Sequence, residues 1–549
     1  MDADQPVYAR FAKGWGAALA LALGLFALRM AYLAWWCPYT LIEDEAQYWE
    51  WSRRIDWSYY SKGPGIAWAI GAATRLLGHS EWAVRLPSAL SLLVASLAGA
   101  GLAKDVFRDG RAAFFAVAMI NLVPLIQSSG LLMTIDMPYA ACWLLAARAF
   151  WPAVMRGSGP ALAATGLALG AGFLFKYTAL MLVPGLVIFA LVMRRRGARF
   201  PGFGWIVLAL LLFGLGLAPV LAWNAEHGWP TVKHLLGHLR MEGGDRPVMP
   251  AAPGASYSPM WTLEFIGAQI GLAGPAIFLA IIEIIHARRR RGSEPERWRG
   301  VLYLMLCAAP VWLMYLALTA AAPAQQNWAM AAYTTLAVLA AGGVVRGMDE
   351  FVAKVAAWCA LPEPRPRAGF LVRRPETAVQ VLWHVTVAYG LVSGLGFARA
   401  DFLARIPGLN AVVPLHRLMF ARERATEVRG LMDRLSSEGA GDPFVLAHHY
   451  GVAAQMAYYL PGRPVTYCSS AYDGGRRTQY DFFDDTDLER VTPALKGRPA
   501  VMLGGGEREW GEVFERVVPI GKLEHDKKDD RPAFLGYNFK GFPWGKTAP

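Results

Sequence analysis

Long runs of apolar residues recur from residue 14 to residue 397, separated by short polar connections. About 20 apolar residues make a helix that crosses the ~30 Å hydrocarbon core of a bilayer. The runs at 14–36, 83–103, 111–129, 137–154, 160–175, 178–193, 203–222, 262–286, 300–320, 329–346 and 379–397 are read as about eleven such spans. The connections alternate in charge. With the N-terminus inside, Lys104, Arg108 and Arg111, then Arg156, Arg194–Arg196, Arg288–Arg291 and the tract from Arg346 to Arg374 all fall on one side. An excess of Lys and Arg marks cytoplasmic connections. Segments 37–82, 130–136, 223–261, 321–328 and everything beyond about 400 are therefore expected on the outer face. The first run is long for a signal-peptide core and has no small-residue cleavage motif, so a retained anchor is expected.

Beyond residue 400 the pattern shortens. "PFVLAHHY", "PVTYCS" and "PAVMLGGG" are strand-like, separated by "GVAAQMAYYL" and the turn-rich "DGGRRTQYDFFDD". They predict a small α/β domain. "GGG" at 504–506 lacks the Lys-Ser/Thr ending of a phosphate loop and reads as a turn. The expected architecture is an α-helical polytopic membrane protein. Its membrane domain covers 1–398, with outer loops at 38–82 and 223–261, and an outer α/β domain covers 400–549. The first outer loop, dense in Trp, Tyr and acids, is expected to form helices lying along the interface.

Composition agrees with the pattern. The chain is 55% hydrophobic and 17% charged, where soluble domains carry roughly 25% charged residues. A net charge of +12 could suggest nucleic acid, but the basic residues sit in the connections and no basic face with interleaved aromatics exists. Nucleic-acid binding is excluded as a function class. The five cysteines, at 37, 142, 307, 359 and 468, show neither metal-ligand spacing nor a disulfide framework.

Candidate chemistry lies at the span ends. "IEDEAQYWEW" at 42–51 follows the first run and carries Glu43, Asp44 and Glu45 beside Tyr48, Trp49 and Trp51. On a helix, Asp44 shares a face with Tyr48, Trp51 and Ile55, and Glu45 shares the next with Trp49 and Ser52. Asp44 is expected among aromatic rings, partly shielded from water, as a general base. In "YYSKGPGIAW", Lys62 beside Tyr60 stands where a lipid phosphate would lie, although a lysine there also snorkels to generic anionic lipid. In "SSGLLMTIDMPYA", Asp136 opens the next span; a lone Asp there is most often a helix N-cap. His227, His234 and His238 include an i, i+4 pair that could hold a metal on a helix. No cofactor is required, and a divalent ion at Asp44 and Asp136, or at these histidines, is left open.

The stretch "DEAQYWEWSRRIDWSYYSKGPGIAW…GHSEWAVRLPSALSLL" resembles the first part of membrane glycosyltransferases with a GT-C fold. The group in question is the bacterial branch related to protein O-mannosyltransferases and to the 4-amino-4-deoxy-L-arabinose transferases of lipid A. The order continues through "TIDMPYA", "GFLFKYTAL" and "QQNWAMAAY", and the tail with "RRTQYDFF" is similar to tails on some bacterial members. The resemblance implies inverting transfer from a polyprenyl-phosphate sugar to a lipid A, other lipid, glycan or protein acceptor at the outer face of the bacterial cytoplasmic membrane. It implies that Asp44, its neighbour Glu45 and Asp136 are catalytic and that Lys62 contacts the donor phosphate. Two departures stand out: Lys-Gly-Pro where many members have Lys-Pro-Pro, and "APAQQNW" where relatives often carry Lys and Glu before Asn-Trp. Lys176 and Arg85, or the histidines of 223–261, could supply the donor contact so lost. The rival readings are a multi-pass transporter or flippase of lipid-linked substrates, which usually shows internal symmetry and midplane polar residues, and a membrane anchor for a carbohydrate-binding domain.

Overall fold

A computed structural model of the chain describes residues 14–238, 242–245, 258–361, 375–409, 413, 415–472, 474–523, 531–543 and 545–546. The chain divides into two compact units. The first comprises Met1–Trp35, Arg85–Pro219 and Ala255–Ala398; the second comprises Trp36–Val84, Val220–Gly254 and Arg399–Pro549.

The first unit is helical, and every apolar run expected to span the membrane falls on a helix or a helix pair. Among the described residues, seven helices are long and apolar enough to cross a membrane, or up to eight if one bent pair counts as a single span. The chain is a multi-pass membrane protein. Shorter apolar helices, Gly110–Leu122 and Gly159–Phe175 among them, cover other expected spans. The bent pair is Pro259–Ala273 and Ala276–Arg289, which meet at 95°. Gly274 makes the break with φ +65°, a conformation that costs glycine little, and Pro275 then starts the second helix without needing an N–H partner. Helix Met330–Cys359 runs through the core, its Ala- and Gly-rich middle almost wholly buried. It continues well past the expected end at 346, while residues 362–374 of the arginine tract lie outside those described.

Two features lock this unit. Helices Gly159–Phe175 and Phe203–Glu226 approach backbone to backbone: a Cβ on Gly166 would lie 2.0 Å from the Ala209 carbonyl oxygen, and one on Gly216 would lie 2.1 Å from that of Gly170. Small residues at such crossings let apolar helices pack where no hydrophobic force joins them. The second feature is a buried charge knot. Glu283 accepts from Arg297 Nε at 2.6 Å and from Arg346 Nε at 2.8 Å, and Arg346 also reaches Glu350 at 2.7 Å. Three helices are joined by one fully buried carboxylate.

The second unit carries a five-stranded sheet in the order β2-β1-β3-β5-β4, with β1 Phe444–Ala447, β2 Tyr467–Cys468, β3 Ala500–Leu503, β4 Phe514–Lys522 and β5 Pro532–Phe539. Strands β2, β1 and β3 are parallel, Val445 facing Val501. Strand β5 is antiparallel to both β3 and β4, with Met502 opposite Phe534. Alternation along the strands feeds two cores: Val445, Ala447, Val501 and Leu535 on one face, and Phe444, Leu446, Met502 and Phe534 on the other. Helix Glu43–Arg53 packs on helices Gly65–Leu77 and Tyr450–Tyr459. The approach to the latter is close enough that a Cβ on Gly451 would meet the Glu43 Cβ at 2.4 Å. Trp49, Trp51 and Tyr59, which could pass for membrane-interface aromatics, are buried in this unit's own core. The "GGG" segment is a turn, with Gly504 and Gly505 at positive φ.

Candidate functional site

The three acids at the start of helix Glu43–Arg53 have three different environments. Glu45 is fully buried, and its Oε2 accepts from the Ile42 backbone N–H at 3.0 Å, fixing the first turn. Glu43 pairs with Arg531 at 2.6 Å. Burial alone would raise the Glu43 pKa, but the charge and hydrogen bond of Arg531 prevail and hold it below the usual range. His449 Nδ1 lies 3.4 Å from Glu43, yet the same nitrogen accepts from the Gly451 N–H at 3.2 Å. An accepting Nδ1 carries no proton, and burial lowers the pKa of His449, so Arg531 is the ionic partner that counts. Asp44 is exposed. This corrects the expectation of a shielded carboxylate: Tyr48 and Trp51 turn into the core and pair edge to face at 5.2 Å. A side chain in the first turn leans back past the helix N-terminus, which takes Asp44 away from those rings. The charge of Asp44 acts on Tyr450, whose hydroxyl pKa burial raises and Asp44 raises further.

Tyr60 and Lys62 share one turn. The Lys62 carbonyl accepts from the Tyr59 N–H at 3.1 Å and from Ser58 Oγ at 3.3 Å, so this turn is closed without a second proline. Tyr60 is buried; its N–H donates to Gln479 Oε1 at 2.6 Å and its hydroxyl donates to Asp245. The Tyr60 ring stacks on Phe482 at 5.6 Å and meets His234 at 5.2 Å. Burial raises the pKa of Asp245 against the pull of Arg476 and Arg477.

In the first unit, Asp136 and Lys176 form an ion pair at 2.7 Å. Asp136 is the first residue of its helix rather than the N-cap, which is Ile135 with no side-chain cap bond. Its other oxygen accepts from Asn327 Nδ2 at 2.9 Å, and Lys176 lies over the Tyr139 ring at 5.6 Å. Lys176 and Asn327 thus neutralise and satisfy a carboxylate that could not otherwise be buried. Arg85 belongs to the same unit and is buried in helix Glu81–Phe107.

The structure therefore brings together Asp136 with Lys176, Asp44 with Glu45, and Tyr60 with Lys62. Sequence reasoning missed Asn327, Tyr450, Arg476 and Arg531. The first three stood in quoted strings, "QQNW", "AHHY" and "RRTQYDFF", but were given no role of their own. Of the candidate metal histidines, His227 stacks on Trp223 at 4.2 Å and His234 Nδ1 accepts from Arg476 at 3.2 Å. The side chain of His238 lies outside the described residues. Among the described residues, no three His, Cys, Asp or Glu side chains gather to hold a metal.

The fold is shared with a solved membrane protein, and it is the fold that the sequence resemblance leads one to expect. Along 94% of this chain and 97% of the other, it superposes on ArnT from Cupriavidus metallidurans, solved with undecaprenyl phosphate, with a TM-score of 0.59 and 16% identity. Residues 61–223 match the family described as dolichyl-phosphate-mannose-protein mannosyltransferase. In sequence the chain is 31% identical over 301 residues to the lipid A galacturonosyltransferase RgtD of Rhizobium johnstonii, covering 54% of this chain and 59% of that protein. It is 30% identical over 188 residues to the undecaprenyl phosphate-alpha-4-amino-4-deoxy-L-arabinose arabinosyl transferase 2 of Sodalis glossinidius, covering 31% of this chain and 33% of that protein. The matched segments thus span little more than half of the first relative and a third of the second.

Proposed function

We propose that the protein is an inverting glycosyltransferase that moves a sugar from a polyprenyl-phosphate donor to an acceptor at the outer face of the bacterial cytoplasmic membrane. The acceptor class is lipid A, another lipid, a glycan or a protein. The observation that carries this reading is the division of labour at residues 43–45: Glu43 is ion-paired, Glu45 caps the helix, and Asp44 is the exposed carboxylate of the three. The GT-C fold and the names of the two sequence relatives support the donor class. The grouping of 36–84, 220–254 and 399–549 in one unit supports the sidedness, since these are the long segments that charge alternation assigns to the outside.

In this mechanism the acceptor hydroxyl or amine gives its proton to the Asp44 carboxylate as it attacks the anomeric carbon. The bond from that carbon to the lipid phosphate breaks on the opposite face, and the phosphate leaves with the electron pair. Lys62 meets the charge developing on it, with Tyr60 ordering the turn that carries Lys62. Glu45 holds the helix start. In the first unit, Asp136 holds Lys176 in place.

The test is Asp44→Asn in the purified full chain, assayed with a polyprenyl-phosphate sugar. Loss of a general base lowers turnover about 10²–10⁴-fold, with the melting temperature unchanged. Turnover near wild type would overturn the assignment.

A further inference from the structure

The loop before residue 479 presents two adjacent arginines, and its backbone is fixed on both sides of them. The Gly475 N–H donates to the Ser470 carbonyl at 3.0 Å, Ser470 Oγ donates to the Arg476 carbonyl at 3.1 Å, and the Thr478 N–H donates to Asp481 Oδ2 at 2.7 Å. From this frame Arg476 donates to His234 Nδ1 at 3.2 Å and lies over the Tyr450 ring at 5.9 Å. The hydroxyl of that same tyrosine feels the charge of Asp44. Both Arg476 and Arg477 act on Asp245, the acid that Tyr60 holds. The arginines are thus near Asp44 and the Tyr60 turn within one unit, and one acid faces two guanidinium groups.

Two donors there are unspent. Arg477 Nε and Gln479 Nε2 are buried and have no hydrogen-bond partner among the described residues. Gln479 is 1% exposed, and its Oε1 is already taken by the Tyr60 N–H. Buried donors without acceptors are rare in folded proteins, and each asks what satisfies it. Adjacent guanidinium groups together with unspent N–H groups suit an oxyanion, because arginine binds carboxylate and phosphate through paired, charge-assisted hydrogen bonds.

We propose that Arg476 and Arg477, with Gln479, form a recognition element for an oxyanion carried by a substrate. That oxyanion is a sugar carboxylate on the donor or a phosphate ester on the acceptor, so the element sets which substrates are used. This assignment rests on the transferase reading above for its consequence, but its chemistry can be measured alone.

The full chain in nanodiscs is assayed with polyprenyl-phosphate galacturonic acid and polyprenyl-phosphate galactose as donors. Each donor is paired with lipid A that carries or lacks its phosphates. The double variant Arg476→Ala/Arg477→Ala is expected to lose about 10- to 100-fold in kcat/KM on the pairs that contain the recognised anion. It keeps its activity on the pairs that lack that anion. Arg476→Lys should retain part of the preference. A loss that follows the donor carboxylate places the anion on the sugar, and one that follows the acceptor phosphates places it on the acceptor. Equal loss on all four pairs, or none, overturns the proposal. In parallel, galacturonate, inorganic phosphate and galactose are titrated against tryptophan fluorescence. Tighter binding of an anion than of galactose, abolished in the double variant, sustains the element even if wild type turns over no pair, an outcome that would count only against transfer between these donors and lipid A. Indifference of wild type to charge sinks the element itself.

Discussion

At the scale of single residues, Glu43, Asp44 and Glu45 differ in what they touch rather than in what they are. Asp44, Lys62 and Asp136 are candidates from the sequence because each stands beside an apolar run in a motif that the resemblance orders. Asn327 is not, since it reaches Asp136 from 191 residues away, and Arg531 reaches Glu43 from the far end of the chain. Such partners are made by folding and leave no local spacing to read. Lys62→Ala is expected to weaken binding of polyprenyl phosphate about tenfold or more, measured by titration of the detergent-solubilised chain; equal affinity would return Lys62 to general lipid anchoring. A second expectation concerns Asp481, whose carboxyl burial pushes from 3.8 up to about 6, with Lys546 pulling the other way. The folded state therefore binds the proton more tightly than the unfolded one. The contribution is fully present below the unfolded value and is lost as pH rises through about 6. Asp481→Asn does not titrate and keeps an oxygen for the Thr478 N–H. Relative to wild type it should gain stability between pH 4 and 7, by up to about 3 kcal/mol, seen as a melting difference that changes with pH. A difference constant across that range would refute the shift.

At the scale of elements, hydropathy located the helices but not their breaks. The run 262–286 stays largely apolar across its middle, so the Gly274-Pro275 pair marks the 95° bend. The three parallel strands of the tail read clearly because all four β1 and all four β3 positions are buried. Strand β4 was missed because it is mostly exposed and interrupted by Pro519, with a register irregularity between Pro519 and Gly521. Its ladder partner is β5. The crossing at Gly166 and Gly216 makes a sharper prediction. A methyl at either position must push two backbones apart, so Gly166→Ala or Gly216→Ala is expected to cost about 1–3 kcal/mol. Gly24→Ala, where nothing lies within 4 Å, serves as the control and should be neutral or slightly stabilising. Thermal melts in one detergent decide it; equal melting points for all three variants would mean the helices do not meet as described.

At the scale of the whole molecule, the proposed sidedness can be tested directly. Single cysteines at Ser61, Ser158 and Ser293, in a chain without the native five, should differ in reaction with an impermeant thiol reagent added outside intact cells. Only the cysteine at Ser61 should label, because Lys and Arg crowd the connections that hold the other two. Labelling at Ser293 from outside would reverse the orientation of that connection and remove the outer-face mechanism with it.

The charge knot at Glu283 also bears on how the chain is made. Glu283 leaves the ribosome before either of its partners: Arg297 follows 14 residues later and Arg346 follows 63 residues later. An unpaired carboxylate in lipid is costly, so helix Ala276–Arg289 cannot settle sideways into the bilayer in its final state when it first emerges. Its carboxylate gains both partners only once the two arginines have been made, so the knot closes after all three helices exist. A ribosome stalled between residues 297 and 346 would leave Glu283 holding only half of its partners.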